Sequence, residues 1–200
     1  MSMRTLVAGA TLAAATVLAG TAAVAAPTLY AGNGHYYDFI AGNISWGDAL
    51  AAADAATPLA GFDSYLVTIT DAGEDAFIKA LLGSPANEYA WAAGSDDGTE
   101  GVWTWRAGPE IGQIFYGSGA PVGAYSNWNG GEPNNLGNED YLHINANQPR
   151  NWNDIYATFP AAGYVVEYSA AVPEPGAWGL MIAGFAGLGA ALRARRARTA

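Results

Sequence analysis

The sequence contains no cysteine. No disulfide can form, no thiolate can act as a nucleophile, and no sulfur-ligated zinc site can be built. Histidine occurs only as His35 and His143, too few for a cluster of imidazole ligands. No serine, histidine and acid sit in a context suited to nucleophilic catalysis. Basic residues are scarce along most of the chain. Between residues 26 and 171 only Lys79, Arg106 and Arg150 are cationic, against seventeen acids, a net charge of −14. So acidic a region repels nucleic acid and anionic lipid and favours cations.

Long apolar runs are also lacking, except at the two ends. Residues 1–25 carry Arg4, an apolar run from Leu6 to Ala19, and the small-residue exit Ala23-Val24-Ala25. This is the pattern of a secretory signal peptide cut after Ala25. At the other end, Val172-Pro173-Glu174-Pro175-Gly176 breaks regular structure. Residues 177–192 then run without a charge, and Arg193, Arg195, Arg196 and Arg198 follow. Those sixteen residues fall slightly short of the ~20 that usually span a bilayer, and the arginines are expected on the cytoplasmic side. The tail 172–200 resembles the PEP-CTERM sorting signal, with its Pro-Glu-Pro motif at 173–175, transmembrane helix at 177–192 and basic end. The resemblance implies processing by an exosortase in a Gram-negative bacterium that makes extracellular polysaccharide. The protein would be anchored in the inner membrane only transiently, through that helix, before reaching the cell surface or extracellular matrix.

Residues 26–171 remain as one domain. His35–Ile40 reads as a strand. Ser45 reads as the cap of an alanine-rich helix over 46–56, with Trp46, Ala49, Leu50 and Ala53 at helical spacing. Ser64–Ile69 is a second strand. Thr70 or Asp71 caps a second helix reaching Leu82, with Ala76, Phe77, Ala80 and Leu81 on one face. Tyr89–Gly94 and Val102–Trp105 are short strands, and at most one of Trp103 and Trp105 is expected to face the core. Residues 106–138 show no periodicity and read as one long functional loop. Tyr141–Ile144, Asn151–Asn153 and Tyr164–Tyr168 read as closing strands.

The loop ends in a concentration of oxygen donors. Trp128-Asn129-Gly130-Gly131-Glu132-Pro133-Asn134-Asn135 is followed by Glu139-Asp140 and then by Trp152-Asn153-Asp154. Glu132, Asn134, Glu139, Asn153 and Asp154 offer carboxylate and amide oxygens, with no soft ligand nearby except His143. That inventory suits Ca²⁺, which takes about six to eight oxygens, and suits zinc or copper badly. A cis bond at Pro133 would let Glu132 and Asn134 face one ion. Coordination positions left open can take two neighbouring sugar hydroxyls. Glu132 with Glu139, or Asp140 with Asp154, can be drafted as a glycosidase pair. Carboxylates held ionised by a cation, however, lack the raised pKa of a general acid. No catalytic residue is assigned.

The order Glu132-Pro133-Asn134, Glu139, Trp152-Asn153-Asp154 resembles the calcium-dependent carbohydrate site of C-type lectin domains. So do the two helices, the Trp91-Ala92-Ala93-Gly94 strand and the final Val166-Glu167-Tyr168, over about residues 33–169. The resemblance implies an α+β C-type lectin-like fold, with two helices, short antiparallel sheets and a long calcium-binding loop, here without disulfides. It puts Glu132, Asn134, Glu139, Asn153 and Asp154 on both calcium and sugar, with Pro133 cis. The Glu-Pro-Asn form implies mannose- or glucose-type sugars. Ser95–Gly101 implies an auxiliary calcium on Asp96, Glu100, Asn135 and Asp140, with a plain turn as the alternative. Tyr141 and Val166 stand where half-cystines are expected. His143 reads as a packing or surface residue, with sugar contact as an alternative, and Trp128 as a loop anchor.

Two functions remain open. One is an exported, surface-sorted, non-enzymatic lectin that binds polysaccharide through Ca²⁺. The other is a calcium-stabilised scaffold of the same fold that binds protein or another surface without recognising sugar.

Overall fold

The structure, a computed structural model, describes residues 26–56, 59–83, 89–122, 125–145, 149 and 151–171. The expected leader 1–25 and tail 172–200, with its 177–192 helix, lie outside the described residues. Among the described residues no helix is long and apolar enough to cross a membrane.

In chain order the elements are β1 (Thr28–Tyr30), β2 (His35–Ile44), α1 (Trp46–Asp54), β3 (Phe62–Leu66), α2 (Ala72–Leu81), β4 (Ala90–Ser95) and β5 (Val102–Trp105). They are followed by β6 (Ile114–Gly117), β7 (Ala120–Pro121), β8 (Tyr141–Ile144), β9 (Trp152–Ile155) and β10 (Ala161–Ala170). Both helices start where side-chain caps are available. Ser45 Oγ accepts the Asp48 N–H at 3.3 Å. Asp71 Oδ1 accepts those of Gly73 and Glu74 at 2.7 and 2.9 Å. Each cap satisfies donors that the helix leaves unpaired and contributes about 1 kcal/mol.

The strands form one connected ladder, β1-β2-β10-β4-β5-β6-β7, with β3 on β10, β8 on β4 and β9 on β8. The pairings are antiparallel as expected, except that β10 runs parallel to β4 through Gly163–Ala90 and Tyr164–Trp91. Gly163 is required there, since a Cβ would lie 2.3 Å from the Ile40 carbonyl oxygen on β2. This places the two ends of the domain side by side and leaves the 106–140 region and the β8–β9 hairpin at the far side of β4.

Three expectations are corrected. The 106–138 segment is not one loop, because β6 and β7 extend the sheet from β5. Their turn is Ser118-Gly119, both with positive φ, the two-residue turn that matches strand twist. Trp103 and Trp105 are both buried, because residues two apart on a strand share a face. Of the expected apolar face of α2, Phe77 and Leu81 pack half-buried against the core, but Ala76 and Ala80 are exposed. The buried residues of the helix are Glu74, Asp75 and Ile78.

The core is aromatic. Trp91, Trp103, Trp105 and Trp152 are fully buried. Trp105 stacks on Phe115 at 4.2 Å, and Trp103 meets Trp128 edge-on at 4.7 Å. Such pairs add about 0.5–1.5 kcal/mol beyond burial. His143 is buried too, stacked on Tyr89 at 5.0 Å. Burial lowers its pKa to about 3, so the ring is neutral.

Candidate functional site

The Trp128–Asp140 segment is pinned to β9 from below. The Trp152 N–H donates to the Asn127 carbonyl and the Asn129 N–H to the Trp152 carbonyl, both at 2.8 Å. Trp128 packs against Trp103, Phe115, Tyr116 and Trp152, which makes it an anchor for the loop. Above it the chain turns through Gly131, Asn135, Gly137 and Asn138, all at positive φ, and the Glu132–Pro133 bond is cis.

Asp154 organises this turn. It is fully buried. Its Oδ1 accepts the Asn134 N–H at 3.2 Å and its Oδ2 the Asn135 N–H at 2.7 Å. Opposite it, Glu139 Oε2 and Asn134 Oδ1 share the Leu136 N–H at 3.1 and 2.8 Å. Asn135 Oδ1 accepts the Glu139 N–H at 2.8 Å. Backbone donors thus hold the oxygens of four side chains in one small volume.

Glu132 completes the group and is the exception. Its Oε2 is buried and finds no hydrogen-bond donor among the described residues. Burial, together with the nearby carboxylates of Asp154 and Glu139, pushes its pKa up to about 7. Glu139 is raised for the same reasons, burial first and then the Asp154 charge. Among the described residues no cationic side chain pairs with these carboxylates, which leaves their mutual repulsion to favour the protonated form. Asn153 joins the group more loosely, its Nδ2 folded against the Asp154 carbonyl oxygen.

The residue set fits a hard cation. A buried carboxylate oxygen without a donor is costly unless something positive meets it, and all other donors present are amide, carbonyl or carboxylate oxygens. Among the described residues no three His, Cys, Asp or Glu suffice alone to hold a metal; amide oxygens of Asn134 and Asn153 would have to contribute. Glu132, Asn134, Glu139, Asn153 and Asp154 would hold Ca²⁺. The raised pKa of Glu132 also removes the pKa argument against a glycosidase pair in the cation-free protein. Geometry disfavours the Asp140–Asp154 pair, because both Asp154 oxygens are engaged by loop N–H groups, and in the Glu132–Glu139 pair Glu139 Oε2 is engaged by the Leu136 N–H.

The auxiliary set is partly assembled. Asp96 is buried, its Oδ2 accepts the Gly101 N–H at 2.8 Å, and its Oδ1 has no donor among the described residues. Burial, with the charges of Glu100 and Asp140, pushes it up to about 6. Its own N–H bonds to the Asp140 carbonyl at 3.2 Å. Asn135 is turned the other way, toward Glu139. The cavity beside α1, about 400 Å³ and lined by Leu50, Tyr65, Arg106 and Ile111, touches neither set.

Sequence reasoning missed Leu136, 77% exposed at the crest of the loop, and three residues beneath it: Asp75, Tyr125 and Asn127. Asp75 lies three residues before Ile78 and seven before Leu82, one helical face, but an acid on an apolar face was not read as buried.

Comparison with known proteins bears on the fold and the family. The family model described as the lectin C-type domain matches residues 53–162. Halomucin from Haloquadratum walsbyi (strain DSM 16790 / HBSQ001) is 36% identical over 138 residues, 68% of this chain but only 1% of that protein. A perlucin-like protein from Mytilus galloprovincialis is 32% identical over 114 residues, 56% of this chain and 66% of its own length. The crystal structure of the C-type lectin CEL-I from Cucumaria echinata superposes with a TM-score of 0.54 at 26% identity, covering 68% of this chain and 91% of that one. The chain belongs to the C-type lectin domain family.

Proposed function

We propose that residues 26–171 form a Ca²⁺-dependent carbohydrate-binding domain for mannose- or glucose-type sugars of an extracellular polysaccharide. The observation that carries this reading is the buried Glu132 Oε2, without a donor among the described residues and beside the carboxylates of Asp154 and Glu139. A site that retains a proton near pH 7 for want of a counter-charge exchanges it readily for a cation. Bound Ca²⁺ would supply open coordination positions for two neighbouring sugar hydroxyls.

The chain's own residues do the rest. Asp154 fixes the backbone of Asn134 and Asn135. Glu132, Asn134, Glu139 and Asn153 present side-chain oxygens and amides that can also hydrogen-bond those hydroxyls. Leu136 offers the apolar face of a sugar ring a contact beside them. Asp96, Glu100, Asn135 and Asp140 form the auxiliary cation set, which stiffens the loop from its other side. The leader 1–25 and the tail 172–200 would carry the domain to the surface of a Gram-negative bacterium, with an exosortase as processing partner and passage through the inner membrane. One shallow site binds weakly, so useful retention requires many copies.

A glycan array probed with and without Ca²⁺ tests the proposal. The expected result is binding to mannose- or glucose-type glycans that EDTA abolishes. Binding that survives EDTA would overturn it. Calcium binding with no glycan partner would leave the scaffold function instead.

A further inference from the structure

We infer that Asp75 is the positioning residue of the cation loop, a buried carboxylate on α2 that clamps both ends of the loop to the core. The inference rests on the calcium reading above. Asp75 is 3% exposed and touches none of the proposed ligands. Its Oδ1 accepts the Trp152 indole N–H at 3.0 Å. Its Oδ2 accepts the Asn127 side-chain amide at 2.7 Å and the Tyr125 hydroxyl at 3.1 Å. Lys79, one turn along α2, pairs with the same oxygen at 2.6 Å and reaches Asn151 Oδ1 at 3.1 Å.

These partners stand at the two ends of the site. Tyr125 and Asn127 enter the segment that carries Glu132, Asn134 and Glu139. Asn151 and Trp152 lead directly into Asn153 and Asp154. A carboxylate has about four acceptor positions, and four donors converge on this one, three of them on Oδ2. An apolar residue in its place would leave a buried indole N–H and a half-buried amide without their acceptor. One of the three cations between residues 26 and 171 is committed to this point. With no cysteine in the chain, loop closure depends on such non-covalent ties, and Asp75 ties both ends through three side chains.

The test titrates Ca²⁺ alone into the full chain and into Asp75→Asn and Asn127→Ala, followed by calorimetry and by tryptophan fluorescence, with thermal unfolding in EDTA alongside. Partners that orient metal ligands typically change affinity by about 10–100-fold. Asp75→Asn is expected to weaken Ca²⁺ binding within that range, and Asn127→Ala less but in the same direction. A purely structural Asp75 would lower the unfolding midpoint in EDTA and leave the Ca²⁺ affinity of the folded protein unchanged, which overturns the inference. If Asp75→Asn does not fold, Asn127→Ala decides, since it removes one donor and leaves the carboxylate paired; wild-type affinity in that variant is again contradictory. Wild-type protein that binds no Ca²⁺ overturns the calcium reading itself. Wild-type binding with unaltered variants removes only the role of Asp75.

Discussion

Two pairs of neighbouring carboxylates in this domain invite comparison, and their partners differ. Glu74 on α2 and Glu167 on β10 are almost fully buried. Glu74 accepts from the Tyr37 hydroxyl at 2.5 Å, the Thr70 N–H at 2.7 Å and the Thr70 hydroxyl at 3.0 Å. Glu167 accepts from His35 Nδ1 at 2.6 Å and the Thr68 N–H at 3.2 Å. Asp154 is fully buried and Glu132 half-buried, and the buried Glu132 Oε2 has no donor among the described residues. Acidity and burial alone therefore do not identify a binding site. Where donors saturate the carboxylates, the cluster locks β2, α2 and β10 together. Where a donor is lacking, the cluster is open to a cation.

The largest expected effect comes from breaking the open cluster. Asp154→Ala removes a proposed ligand and the acceptor for two loop N–H groups, so Ca²⁺-dependent retention on mannose resin should vanish. Leaving those N–H groups unpaired should also cost about 1–3 kcal/mol of stability in denaturant unfolding. Breaking the saturated cluster should do the opposite. Tyr37→Phe strips Glu74 of its closest donor and should cost about 1–3 kcal/mol, with Ca²⁺ affinity by calorimetry unchanged. A Tyr37→Phe variant that loses calcium binding would erase the distinction between the two pairs.

Proton competition sharpens the comparison further. In the cation-free fold Glu132 titrates at about 7, above its ordinary 4.5, with burial as the main cause. A carboxyl raised in this way stabilises the fold below its ordinary value, and that contribution is lost as pH rises through about 7. Cation-free protein should therefore melt at a lower temperature at pH 8 than at pH 5, while Ca²⁺ affinity rises between pH 6 and pH 8. Glu132→Gln should flatten much of that melting trend and weaken calcium binding together. Asp96, pushed up to about 6 mainly by burial, acts in the same direction. His35, raised chiefly by its bond to Glu167, likewise contributes stability that fades as pH rises. The smallest expected effect is that of Leu136→Ala. Losing its ring contact should weaken sugar binding by about 1 kcal/mol, on the order of fivefold, with no change in Ca²⁺ affinity.

Much of the fold was legible because its signals are local. Ser45 and Asp71 cap their helices as read, and the closing strands appear near their expected places. The Glu132–Asp154 group was legible because its chemistry lies in two short stretches of sequence. What escaped depends on contacts distant in sequence or on short elements. Glu74 and Asp75 face inward because their donors come from Tyr37, Tyr125, Asn127 and Trp152, between 37 and 77 residues away. The β6–β7 hairpin is four residues paired with two, too short for a period-two pattern, and only Ser118-Gly119 marked it. The Trp103 and Trp105 expectation failed by misapplying strand periodicity rather than for lack of a signal.

Calorimetric titration of Ca²⁺ into the protein at pH 7, repeated in buffers of different ionisation enthalpy, tests the central claim most directly. Saturable binding should release roughly half a proton at the Glu132 site, and Glu132→Gln should remove that release. The absence of saturable binding, or binding with no proton release, would contradict the claim that this buried carboxylate group is a cation site.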